Sequence, residues 1–217
     1  MKIACITYRS WASEIYNKLA KTYDEHEFLL IHSKENFSEE GVKSFKPDII
    51  LWYGWSWMIS NEFVDNYESI MLHPSPLPKY RGGSPIQNQI INGETKSAVT
   101  LFRMTKELDK GDIYIQQEIS LNGYIEDIFE RIIKVGYETT CKVFDGEYIL
   151  TPQKEENATY YERRTPSESE ITLVELSSKP GRYIYNKVRM LTGPYPRAFI
   201  RTSDGKKIIF QNVDIIE

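Results

Sequence analysis

The chain has 217 residues and is poor in cysteine, histidine and excess positive charge. Cys5 and Cys141 are the only cysteines, far apart and each in an apolar setting. They read as two reduced core thiols, which excludes a disulfide framework. Three histidines are present, and no Cys/His group has zinc-ligand spacing, so no metal is expected. The formal net charge is −4. A protein that grips nucleic acid through bulk positive charge is therefore not expected. No run of about 18 apolar residues exists, so no membrane span is expected. The apolar stretch within Met1–Arg9 is too short for a signal peptide. Together these absences predict a cytoplasmic protein. The first strand–helix turn, Tyr8-Arg9-Ser10-Trp11, lacks the glycines of a phosphate-cradling loop. There is no internal repeat and no low-complexity tract.

Apolar residues make up 41% of the chain, enough for a sizeable core. Continuous apolar runs at Lys2–Tyr8, His26–His32, Asp48–Tyr53 and Ser69–His73 read as strands buried on both faces. Helical patterns separate them. One is capped by Ser10, with Trp11, Ile15 and Leu19 on one face; another follows Ser60. Ser84-Pro85 opens a short helix that Gly93 can end. Two further strands are expected at Ala98–Met104 and Asp112–Leu121, and a strong amphipathic helix at 125–144. The expected fold is α/β: an open, mostly parallel sheet with helices on both faces, Rossmann-like. Residues 1–150 form the main domain. Residues 151–170 are polar and read as a linker or surface excursion. Residues 171–217 form a small helix-plus-hairpin appendage, its helix near 180–191 and its turn at Asp204-Gly205. The charge is uneven: residues 151–217 carry 11 Lys/Arg against 9 Asp/Glu, a faintly basic tail on an acidic body.

The most informative stretch is Leu72–Gln87, LHPSPLPKYRGGSPIQ. His73 closes an apolar run, and ligands bind outside the carboxyl ends of strands in such sheets. Pro74 pushes His73 toward extended backbone, and Pro76 and Pro78 fix their own φ and remove two N–H donors. The loop is stiff before any ligand arrives, and Gly82-Gly83 permits close backbone approach. Asp109 lies 36 positions downstream, in a tight polar turn after another strand. A carboxylate near an imidazole can fix its tautomer and raise its basicity.

These residues, together with Phe102–Leu121 (FRMTKELDKGDIYIQQEISL), resemble the core of the folate-dependent formyltransferases. That family includes enzymes acting on methionyl-tRNA, on a purine precursor and on nucleotide-linked amino sugars. The resemblance spans roughly residues 48–121 and extends more weakly to Gly193–Ile200 (GPYPRAFI). It implies transfer of a formyl group from N10-formyltetrahydrofolate to an amine, through a tetrahedral intermediate. It implies catalytic roles for His73 and Asp109. It also implies that Trp55, Ser56, Trp57, Ser75, Pro76, Leu77, Pro78 and Gly83 border the folate, with Thr105, Lys106, Glu107 and Leu108 closing over its ring. The family pattern carries Asn-x-His, and here Met71 holds the Asn position. Methionine offers no useful donor to an oxyanion.

The absent glycine loop argues against the purine-pathway member. The short, weakly charged tail favours a nucleotide-linked amino sugar over tRNA as acceptor. Arg9, Lys79, Arg81 or the Arg and Lys residues of the tail could meet its diphosphate. A homodimer is one expectation of this reading. A methionyl-tRNA enzyme, a formyltetrahydrofolate deformylase and a non-catalytic binding protein are the alternatives.

Overall fold

A computed structural model describes residues 1–216. The chain runs β1 (Lys2–Ile6), α1 (Ser10–Thr22), β2 (Glu27–Ile31), α2 (Glu39–Phe45), β3 (Ile49–Leu51), α3 (Asn61–Asn66) and β4 (Glu68–His73). It continues through β5 (Arg81–Gly82), α4 (Pro85–Ile91), β6 (Lys96–Arg103), β7 (Ile113–Ser120) and α5 (Ile125–Phe144). The last third holds β8 (Tyr160–Tyr161), α6 (Leu173–Ser178), α7 (Gly181–Arg189), β9 (Phe199–Arg201) and β10 (Lys207–Ile209).

The main sheet has six strands in the order β2-β1-β3-β4-β6-β7. The β2, β1, β3 and β4 strands pair in parallel, and β6 and β7 add antiparallel partners. Side chains alternate between the two faces, as a strand requires. Ile3, Cys5, Leu51, Ile70 and Leu72 join α1 and α5 in one core. Ala4, Ile6, Ile50 and Trp52 join Val42 of α2 and Phe63 of α3 in the other. Each of these apolar side chains contributes roughly 1.5–3 kcal/mol by leaving water. The continuous apolar runs in the sequence follow from this burial on both faces. Among the described residues no helix is long and apolar enough to cross a membrane.

Some local expectations change. Ser10 is the first residue of α1 and not its cap; Arg9 holds the cap position with no side-chain cap bond. Ser60 stands at the cap of α3, but its hydroxyl donates to Glu39. The helix near 180–191 ends at Arg189, short of Gly193. Asp204-Gly205 does turn the β9–β10 pair, with Gly205 at φ 80°.

The polar stretch 151–170 lies against the main body at several points. Its strand β8 pairs in parallel with β5, Arg81 opposite Tyr160 and Gly82 opposite Tyr161. Arg81 is wholly buried there. Its guanidinium donates to Gln153 Oε1, to Glu155 and to the Tyr160 hydroxyl. A buried guanidinium stripped of these partners would cost several kcal/mol, so the segment is held in place. Gly82 of β5 and Gly83 just after it serve this contact. A Cβ at Gly82 would overlap the Tyr161 carbonyl oxygen, and one at Gly83 would overlap the Arg163 backbone. The close backbone approach expected at Gly82-Gly83 is thus made by the chain itself.

Candidate active site

β4 delivers His73 at the carboxyl end of the parallel strands, where it is 6% exposed. The loop behind it is fixed by its carbonyls, because prolines leave few N–H groups to do the work. The Pro74 oxygen accepts from Gln89, the Ser75 oxygen from Thr100 and the Leu77 oxygen from Gln116. Ser75 and Leu77 are buried in this scaffold.

His73 Nε2 lies 2.8 Å from the Tyr80 carbonyl oxygen. A carbonyl only accepts, so Nε2 carries a hydrogen. The other nitrogen, Nδ1, faces Asp109 Oδ2 at 3.6 Å. That is ion-pair range, slightly longer than an ordinary hydrogen bond. Both side chains are nearly enclosed, at 8% and 11% exposure, which strengthens their interaction.

Asp109 adopts a left-handed backbone, φ 53°. Two contacts hold it there. Its Oδ2 accepts from the Gly82 N–H at 2.8 Å. Its carbonyl and that of Gly111 accept from Gln153 Nε2 at 2.9 and 2.7 Å. Gln153 Oε1 in turn accepts from Arg81. One glutamine thus ties the turn bearing Asp109 to the strand that follows the histidine loop. Gln153→Leu should lower stability by about 2–4 kcal/mol, because it leaves Arg81 Nε and Nη2 and two carbonyls without their partner. Urea unfolding checks this. Formyl transfer should drop as well, and retention of full activity would show that the Asp109 turn holds itself.

A cavity of about 730 Å³ opens beside the pair. Met71 and His73 both line it, as positions i and i+2 of one strand should. Met71 also packs on the core around Trp52, Trp55 and Phe63. Trp55, Ser56, Trp57, Gly83 and Thr105–Leu108 line the cavity too. Ser75, Pro76, Leu77 and Pro78 lie outside its lining; Pro74 is the loop residue that reaches it.

On one side the wall is aromatic and apolar. The Trp55 and Trp57 rings lie 4.7 Å apart, and Tyr8 meets Trp57 edge-on at 4.6 Å. Ile59, Val64, Phe102 and Met104 complete the wall, with Met58 and Leu108 exposed at the rim. The Trp55 Nε1 donor is buried without a partner. An aromatic, apolar wall with an unused donor fits a pterin ring, which needs both ring contacts and in-plane hydrogen bonds. The rest of the lining holds Arg9, Trp11, Gln87, Tyr161, Arg163 and Tyr195. Burial pushes the Tyr195 phenol upward while Arg9 beside it pulls the other way. Lys79 is exposed and outside the lining, and Arg81 is the buried brace described above. Sequence reasoning passed over Gln153 and Gln87. Nothing in a polar stretch or a short helix marks one glutamine above another.

A mostly parallel sheet with an imidazole–carboxylate pair at its carboxyl edge, beside a cavity of about 730 Å³, fits a group-transfer enzyme of the α/β class. The chain belongs to the formyl transferase family, whose model matches residues 5–142. It is a folate-dependent N-formyltransferase with N10-formyltetrahydrofolate as co-substrate.

Solved structures agree. The chain is 31% identical to a methionyl-tRNA formyltransferase from Clostridium thermocellum, with a TM-score of 0.86 over 100% of this chain and 99% of that one. HypX from Aquifex aeolicus in complex with tetrahydrofolic acid shares the fold at 23% identity and a TM-score of 0.78, over 98% of this chain and 37% of that one. So does a 4-N formyltransferase from Francisella tularensis, at 18% identity and 0.77, over 99% and 98%.

Proposed function

We propose that His73 and Asp109 are the catalytic pair and that the acceptor is the amine of a nucleotide-linked amino sugar. The observation that carries the first part is the Nδ1–Oδ2 approach at the edge of the cavity. The co-substrate supplies an activated formyl carbon. The acceptor amine bonds to that carbon, and the bond from carbon to N10 breaks. The pair takes one proton from the amine side and returns one to N10, so charge balances over the turnover. Nε2 is committed to Tyr80, so the exchanging proton lies on the Nδ1–Oδ2 edge. The Trp55–Trp57 wall and Thr105–Leu108 would hold the folate ring and exclude water around it.

For the acceptor, the support is charge and shape. The chain carries −4 overall, a poor match to the many phosphates of tRNA. The cavity lining carries Arg9, Arg163, Arg164, Tyr161 and Tyr195, a charge and ring content suited to a phosphorylated nucleotide. The 31% identity to a protein described as a methionyl-tRNA formyltransferase favours a second reading, an aminoacyl-tRNA acceptor. One assay separates them. The purified protein should formylate members of a panel of nucleotide-linked amino sugars and leave methionyl-tRNA untouched at physiological salt. Formylated tRNA with every sugar inert would select the second reading.

A further inference from the structure

Two guanidinium groups lining the cavity lack a counter-charge. Among the described residues, neither Arg9 nor Arg163 has a carboxylate within 4.0 Å. Arg164 beside them is different, because Glu168 lies 3.5 Å away. Glu162 is the one carboxylate on that rim, and it makes no ion pair with either arginine.

The position of Arg9 is built. Its guanidinium stacks 4.4 Å from the Tyr8 ring centre and 5.4 Å from that of Tyr195. Its stem crosses Gly54, which has φ 68°; a Cβ there would come within 2.8 Å of Arg9 Cγ. No side-chain hydrogen bond uses the Arg9 guanidinium. Arg163 is oriented by one bond, Nη2 to Ser56 Oγ at 2.6 Å, and Ser56 Oγ lies 2.7 Å from the Tyr8 hydroxyl. The two arginines are thus tied to one Tyr8–Ser56 unit. Gln87, 3% exposed in the same lining, has a buried side-chain nitrogen that makes no full hydrogen bond and lies near the Tyr195 phenol. A planar guanidinium stacked on rings with its N–H edge free is arranged to bind phosphate oxygens in pairs.

We propose that Arg9 and Arg163 form the anion subsite of the acceptor, seating its diphosphate, while the Gln87 amide donates to a neutral oxygen of the same molecule. This rests on the nucleotide-sugar reading above. It goes further by assigning the group that recognises the nucleotide.

The test is calorimetric binding of UDP, dTDP and inorganic pyrophosphate to the wild type, Arg9→Met and Arg163→Gln, with melting curves to confirm folding. Each variant should bind these ligands about 10-fold or more weakly, the loss of one charge-assisted contact. KM for the formylated sugar should rise by a similar factor with kcat within about threefold. Tetrahydrofolate affinity should stay within about twofold. Wild-type protein that binds none of the three ligands at millimolar concentration overturns the subsite, as do variants that bind them as tightly as wild type. A matching loss of tetrahydrofolate binding would assign the arginines to the folate and overturn it too. The two readings fail separately. Arginine-dependent UDP binding with every amino sugar inert keeps the subsite and loses the acceptor. Sugar formylation with unchanged KM in both variants does the reverse.

Discussion

Replacing His73 with alanine should lower kcat for formyl transfer by about 100–10,000-fold, the usual worth of a positioned acid–base group. Asp109→Asn should do the same with less disturbance. An asparagine oxygen can still accept from the Gly82 N–H, so the turn keeps its anchor while the carboxylate charge is lost. The size of the effect follows from the enclosure of the pair. With both side chains about nine-tenths covered, water cannot readily substitute for either partner. Single-turnover assays at saturating folate, with circular dichroism to show folding, measure it. A folded His73→Ala or Asp109→Asn protein with near-normal kcat would remove that residue from the mechanism. Because Nε2 is held by Tyr80 and Nδ1 by Asp109, the two losses should not add. The double variant should be little worse than either single one.

The parts of this site legible in the sequence are those that local chemistry writes down. An apolar run ending on His73, with three prolines behind it, is a strand end followed by a stiff loop, and the structure has both. The 125–144 helix shows its period in Ile125, Ile128, Ile132 and Ile133, and all four are buried. The pairing of β8 with β5 was not legible. Two residues give no period, and their bonds run to a strand some 80 positions away in sequence. Helix α6 escaped notice because its Leu173 and Val174 face solvent, so it has no buried stripe to read.

The proline loop shows a different limit. Sequence says that Ser75–Pro78 is rigid. It cannot say that Thr100, Gln116 and Gln89 grip that loop from behind and leave its far side out of the cavity. Such contacts join distant strands, and no local pattern encodes them. The same holds for Gly82-Gly83, where glycine signals that something comes close without saying what.

Met71→Asn should raise kcat by about 10-fold or more, a gain of function at a position that now only packs. Met71 and His73 share a strand face and the cavity wall, so a side chain at 71 reaches the space beside the reacting carbon. A thioether cannot stabilise charge growing on the formyl oxygen. A single oxyanion donor, where an enzyme has one, is worth on the order of 100–1,000-fold. The expected gain is smaller, because Met71 packs against the largely apolar cluster that includes Trp52, Trp55 and Phe63. That same setting predicts the cost: a polar group there should lower stability by about 1–3 kcal/mol, so rates must be compared well below the melting temperature. Met71→Leu is the control for packing, since it keeps the volume and adds no donor; its kcat should match the wild type. If Met71→Asn leaves kcat unchanged while Met71→Ala abolishes transfer, the shape of Met71 is what matters. The oxyanion must then be met by another donor, and the unpartnered Trp55 Nε1 on the same wall is the first to test.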